Sequence, residues 1–167
     1  MIMDKLIEKA KKIKLVITDI DGVWTNGIMY YTNDGDFMKA FSTYDGMGTY
    51  ILKQIDIPTA IITGEASQMV LKRAEKLKLE DVFIGVMDKL AVFEQLLEKY
   101  GLMPEETAYI GDDINDAEVM SVAGLTACPP NSPALGILKP DFITERRGGE
   151  GAFREFAELI ISAQQAL

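Results

Sequence analysis

Short apolar, β-rich runs recur along the chain, and longer helical patterns separate them. The runs are LVIT (15–18), TAIIT (59–63), DVFIG (81–85), TAYIG (107–111) and GLTAC (124–128), with a weaker one at PDFIT (140–144). Residues 66–78 and 88–101 carry apolar positions at three- and four-residue spacing, and the second stretch stops at Gly101. A further helix is expected near Asp45 to Gln54 and a last one over Ala152 to Ala163. Pro58 and Pro104 mark turns before two of the strands. Strands alternating with crossover helices build a parallel sheet. The expected fold is therefore α/β, a Rossmann-like, doubly wound parallel sheet.

Residues 23–41 break this rhythm. They read VWTNGIMYYTNDGDFMKAF, with NDG between two aromatic-rich, partly alternating runs, which is a β-hairpin pattern. No internal repeat, low-complexity tract or linker appears, so residues 1–167 are expected to form one domain with a projecting hairpin. Large residues on both hairpin faces, Trp24, Met29, Tyr30, Tyr31, Phe37 and Phe41, would leave an apolar patch exposed on a lone chain and favour association.

Charge and residue types exclude several function classes. Seventeen Lys and Arg stand against 26 Asp and Glu, a net charge of −9, so nucleic acid and anionic membrane are not expected partners. An anionic substrate would need a few placed cations or a metal ion. The chain has no histidine, which removes imidazole base catalysis and His-ligated zinc, and its one cysteine, Cys128, allows no internal disulfide. The apolar run behind the basic N-terminus is too short for a signal peptide, and nothing is long enough to span a bilayer, so the expectation is a cytoplasmic protein.

In an open parallel sheet, ligands bind at the carboxyl ends of the strands. Four expected strands end in chemically useful residues: Asp19 and Asp21 after the first, Thr63 and Gly64 after the second, Asp88 and Lys89 after the third, and GDDIND (111–116) after the fourth. Each alone is an ordinary cap, turn or solvated lysine. Together they place Asp19, Asp21 and Asp112 or Asp113 in one cleft, where the charges must be neutralised. A hard cation with oxygen ligands, Mg²⁺ above all, suits that set. Residues i and i+2 of an extended chain point the same way, so Asp19 and Asp21 can face one site, and Gly22 lets backbone approach it. With a metal to offset repulsion, one aspartate can attack phosphorus. Helix amides after Thr63 and Gly64, and the Lys89 ammonium, would favour a phosphoryl group.

DIDG, TG after a strand, the lysine in DK, and GDDIND resemble, in order, the four motifs of the haloacid dehalogenase superfamily. The resemblance implies that Asp19 is the nucleophile and that Asp21 is general acid and base, giving its backbone carbonyl to the metal. It further implies that Thr63, Gly64 and Lys89 hold the phosphoryl group, and that Asp112 completes a Mg²⁺ site with Asp19 and Asp21. Asp113 and Asp116 are then supporting or capping residues.

DIDGVWT, a hairpin in place of a cap domain, GVMDKL, AYIGDDINDAEVM and RRGGEGAFRE look like the small capless branch of phosphatases acting on 3-deoxy-D-manno-octulosonate 8-phosphate or on nine-carbon keto-deoxy sugar acids. That resemblance implies homotetramers whose hairpins meet and whose sites are completed by a neighbour. Substrate contacts would fall on Ser42, Thr43, Tyr44, Asp45, Gly46, Glu65 and an Arg73 reaching in from another subunit. YDGMG looks more like the octulosonate enzymes, whereas TGE with KRAEKLK looks more like the nine-carbon branch. Glu65 is either a first-turn helix acid or a partner for sugar hydroxyls. Arg146 and Arg147 either meet the anionic substrate or form a surface turn. Rival readings are a broad small-metabolite phosphatase or phosphotransferase, and a non-catalytic assembly module of the same fold.

Overall fold

A computed structural model describes residues 2–165. Helix α1 (Ile2–Ala10) leads into strand β1 (Leu15–Thr18). The chain continues through β2 (Tyr30–Thr32), β3 (Gly35–Met38), α2 (Thr43–Lys53), β4 (Thr59–Ile62), α3 (Gln68–Leu77), β5 (Asp81–Phe83) and α4 (Lys89–Tyr100). It then forms β6 (Thr107–Ile110), α5 (Ala117–Val122), β7 (Leu125–Cys128), α6 (Leu135–Leu138), β8 (Phe142–Ile143) and α7 (Ala152–Gln165).

Six strands make a parallel sheet in the order β5-β4-β1-β6-β7-β8. After β5 the chain crosses back over β1 to build the other half, so the sheet has its switch point between β1 and β6. Such a point opens a crevice at the carboxyl ends of the strands. β1, β4, β6 and β7 are buried at every residue because helices cover both faces. Val16, Ile61 and Ala108 point toward Leu6, Leu52, Val70 and Phe156 of α1, α2, α3 and α7. Leu15, Ile17, Ile62 and Tyr109 point the opposite way, toward Phe93 and Leu96 of α4 and Val119 of α5.

Helix boundaries follow local caps. α2 begins at Thr43, earlier than expected, because Ser42 Oγ accepts the Tyr44 N–H at 3.1 Å. α3 begins at Gln68, two residues later than the apolar pattern suggested, and α7 runs past Ala163 to Gln165. α1, α5 and α6 were not anticipated.

β2 and β3 pair antiparallel as a separate ribbon, turning through Asn33 and Asp34 into Gly35, whose φ is +110°. Tyr31 and Phe37 are exposed on it. Trp24 is not. The chain turns once more after Asp21, with the Val23 and Trp24 amides both donating to the Ile20 carbonyl, and this sends the indole under the sheet. Trp24 is fully buried, its ring 5.1 Å from that of Phe153, and its Nε1–H donates to Thr18 Oγ1 at 3.0 Å. Truncating Phe153 to alanine would cost about 3–5 kcal/mol here. Phe41 also packs partly against the core, so the exposed hairpin patch is smaller than expected.

Candidate active site

The carboxyl ends of β1, β4 and β6 surround a cavity of about 300 Å³ lined by Asp19, Asp21, Gly27, Thr63, Gly64, Glu65 and residues 112–115. Asp19 leaves β1 almost completely buried, with the Ile20 N–H donating to its Oδ1 at 2.7 Å and Lys89 Nζ at 2.9 Å from Oδ2. Burial first, and the nearby Asp116 second, push its carboxyl well above the usual range, against the pull of Lys89.

Lys89 opens α4, behind Asp88, whose carboxylate caps the helix through the Ala91 N–H. Its side chain is buried and its Nζ lies 2.7 Å from Asp116 Oδ1 as well as against Asp19. Lys89 therefore does not line the cavity; it acts on it through Asp19. Burial pulls its pKa down, but Asp19 and Asp116 more than offset this and leave it raised.

Asp116 is a fully buried hub. Oδ1 accepts from Lys89 and from the Tyr109 hydroxyl at 2.6 Å, and Oδ2 from the amides of Asp112 and Asp113 at 2.9 and 3.2 Å. Those amides hold the loop that carries Asp112. The close approach requires Gly111, where a Cβ would sit 2.4 Å from Asp116 Cγ.

Asp21 Oδ1 accepts from Lys39 Nζ at 2.6 Å, a hairpin residue that sequence reasoning missed; a lone lysine in a hairpin gives no signal. Thr63 and Gly64 lie just past β4, and Glu65 follows on the cavity wall, before α3 begins. Glu65 is thus outside the helix, which removes the first-turn explanation for it. Gly27, Ile114 and Asn115 were also missed on the cavity wall.

Apart from Glu65, the residues expected around the sugar lie elsewhere in this chain. Ser42 and Thr43 start α2, and Tyr44 is exposed. Asp45 is fully buried, its Oδ1 accepting the Arg154 N–H at 3.1 Å at the start of α7. Arg73 Nη2 donates to the Ser42 carbonyl at 3.4 Å, lies over the Phe41 ring, and occupies the space a Gly46 Cβ would need. None of these lines the carboxylate cavity. Nor do Arg146 and Arg147, which are exposed; Gly148 and Gly149 lie instead against the loop after Asp21, with Gly149 N–H donating to the Val23 carbonyl at 3.0 Å.

Residues 35–124 match the family model of haloacid dehalogenase-like hydrolases. The chain is 39% identical over 166 residues to the 3-deoxy-D-manno-octulosonate 8-phosphate phosphatase of Yersinia pestis, covering 99% of this chain and 89% of that protein. It is 40% identical to the Escherichia coli K12 enzyme of that name, covering 97% and 86%. The crystal structure of the Moraxella catarrhalis phosphatase, in complex with magnesium, phosphate and a KDO molecule, superposes with a TM-score of 0.92 at 40% identity, covering 98% of this chain and 94% of that one. The chain belongs to the haloacid dehalogenase superfamily. Within it, it falls in the branch of the 3-deoxy-D-manno-octulosonate 8-phosphate phosphatases.

The haloacid dehalogenase site calls for a divalent cation, and the carboxylates fit one. Asp19, Asp112 and Asp116 each offer an oxygen within 4.8 Å of the others. The four hydrogen bonds that Asp116 accepts make it the holder of the loop, leaving Asp19 and Asp112 to face a cation. Burial first, then the charges of Asp19 and Asp116, push Asp112 up to about 8, repulsion that a bound cation would relieve. Oxygen donors alone suit Mg²⁺.

Proposed function

We propose that this chain is a Mg²⁺-dependent phosphatase that hydrolyses the phosphate monoester of 3-deoxy-D-manno-octulosonate 8-phosphate. The observation that carries the reading is the meeting of Asp19, Asp21, Thr63 and Asp112 on one cavity, in a chain similar over nearly its whole length to phosphatases of that name. Asp19 attacks phosphorus and the phosphorus–ester oxygen bond breaks. Asp21 gives its proton to the departing sugar oxygen. A water then attacks the aspartyl-phosphate, losing a proton to Asp21, and releases inorganic phosphate and free Asp19. Lys89 fixes Asp19 from below, while Thr63 and the Gly64 backbone hold phosphoryl oxygens. Asp19, Asp112 and the Asp21 carbonyl would hold Mg²⁺, which would supply charge neutralisation between carboxylate and phosphoryl group.

Glu65 on the cavity wall favours a second substrate reading, a nine-carbon keto-deoxy sugar acid 9-phosphate. A carboxylate there suits sugar hydroxyls and opposes the substrate's own carboxylate. The exposed Tyr31, Phe37 and Met38 on the hairpin support a homotetramer. Ser42, Thr43, Tyr44 and Arg73 then meet the sugar in a neighbour's site, whereas the buried Asp45 and Gly46 do not reach it. We place the enzyme, folded as one domain, in the cytoplasm, in a route to lipopolysaccharide.

Phosphate release from the eight- and nine-carbon esters, with and without Mg²⁺, tests the reading in wild type and Asp19→Asn. Turnover of the eight-carbon ester that needs Mg²⁺ and vanishes in Asp19→Asn is expected; equal activity in the variant would remove Asp19 as nucleophile.

A further inference from the structure

Lys39 follows β3 on the hairpin, yet its side chain is only 1% exposed. Its Nζ lies 2.6 Å from Asp21 Oδ1 and 3.8 Å from Asp36 Oδ2. Asp36 Oδ2 in turn accepts the Ser67 hydroxyl at 3.1 Å. Ser67 is the N-cap residue of α3, but its side chain makes no capping bond. A serine at this position ordinarily caps its helix, so this hydroxyl is turned away from its ordinary task and toward the hairpin. The network joins the loop after β1 to the loop after β4 through hairpin side chains.

The other Asp21 oxygen, Oδ2, is buried with no protein partner. An unsatisfied buried acceptor is costly to leave unpaired, and a catalytic role is one reason such an atom is kept. We propose that Lys39 is a positioning residue for proton transfer: by fixing Oδ1 it leaves Oδ2 as the oxygen that serves the leaving group and then the water. The inference rests on the acid and base role given to Asp21 above. Lys39 serves as a compact point donor to Oδ1. The hairpin is then both an outer surface and an inner support of the chemistry. A purely structural lysine would hold the ribbon down and weaken every reaction equally.

The test compares wild type, Lys39→Met and Lys39→Gln on aryl phosphates of rising leaving-group pKa, from 4-nitrophenyl to phenyl, reading kcat/KM with saturating Mg²⁺. Good leaving groups need no acid, so 4-nitrophenyl phosphate should be cleaved within a few-fold of wild type. Phenyl phosphate should lose most of the roughly 10²–10⁴-fold that general acid catalysis supplies, giving a steeper dependence in Lys39→Met and a smaller change in Lys39→Gln, which keeps a donor and safeguards the test should the methionine variant fold poorly. A uniform loss across the series, or none, overturns the inference. Wild type that cleaves aryl esters but not the sugar acid ester would refute the substrate reading while leaving this comparison decisive.

Discussion

Gly22 and Asp112 occupy space that only a glycine leaves open: a Cβ at position 22 would lie 1.8 Å from Asp112 Oδ2. Gly22 also has φ +84°, the left-handed region where side chains are strained. Two loops from neighbouring strands are thereby brought together at the switch point, and the carboxylate positions depend on it.

Gly22→Ala should therefore displace Asp112 without unfolding the sheet. Mg²⁺ affinity is expected to fall by about 10–100-fold, the range seen when support for a ligand is lost. Titrating activity with Mg²⁺ checks this; an unchanged half-saturation would show that Asp112 does not hold the metal.

Mg²⁺ binding should depend on pH in one direction. Without the cation Asp112 stays protonated until about pH 8, so the ion competes with a proton below that and not above it. Binding should release protons and weaken as pH falls from 9 to 6. The Mg²⁺-induced rise in Tm, measured at both pH values, should be larger at pH 9.

Asp45 offers a stability readout remote from the metal. Burial, partly offset by amides at the start of α7, raises it from 3.8 to about 6. The folded state then binds the proton more tightly than the unfolded one, so this contribution is present below about pH 4 and lost as pH rises through 6. The loss amounts to about 3 kcal/mol at most. Urea unfolding at pH 4 and 7 should show wild type losing stability relative to Asp45→Asn across that interval.

The hairpin carries the assembly prediction. Replacing exposed Tyr31 and Phe37 together by aspartate puts charge on the apolar patch and should convert the proposed tetramer to smaller species in sedimentation. Turnover of the sugar acid ester should fall by tenfold or more, as sites lose their neighbour, while 4-nitrophenyl phosphate, which needs only the carboxylate cavity, is still cleaved.

The central strands were legible because β1, β4, β6 and β7 are buried on both faces and so read as unbroken apolar runs. The reactive residues were legible for a related reason: strand ends in a parallel sheet converge, so Asp19, Thr63 and Asp112 share a cavity. What lay hidden depends on long-range contact. Trp24 looked like a hairpin residue because nothing local announces the extra turn that buries it. Asp45 looked available to substrate, since its partner, the Arg154 amide, is 109 residues away. Lys39 has its role only through Asp21 and Asp36, and Asp116 only through Lys89, Tyr109 and the amides of Asp112 and Asp113.

The contact of Gly148 and Gly149 with residues 22–26 ties the first motif to nearly the last stretch of chain. During synthesis, the loop bearing Asp21 emerges early but finds its backing only when the glycines before α7 arrive. Backing of the reactive loop thus follows the synthesis of all the reactive aspartates, and a product terminated before Gly148 would carry every one of them without the glycines that lie against the loop after Asp21.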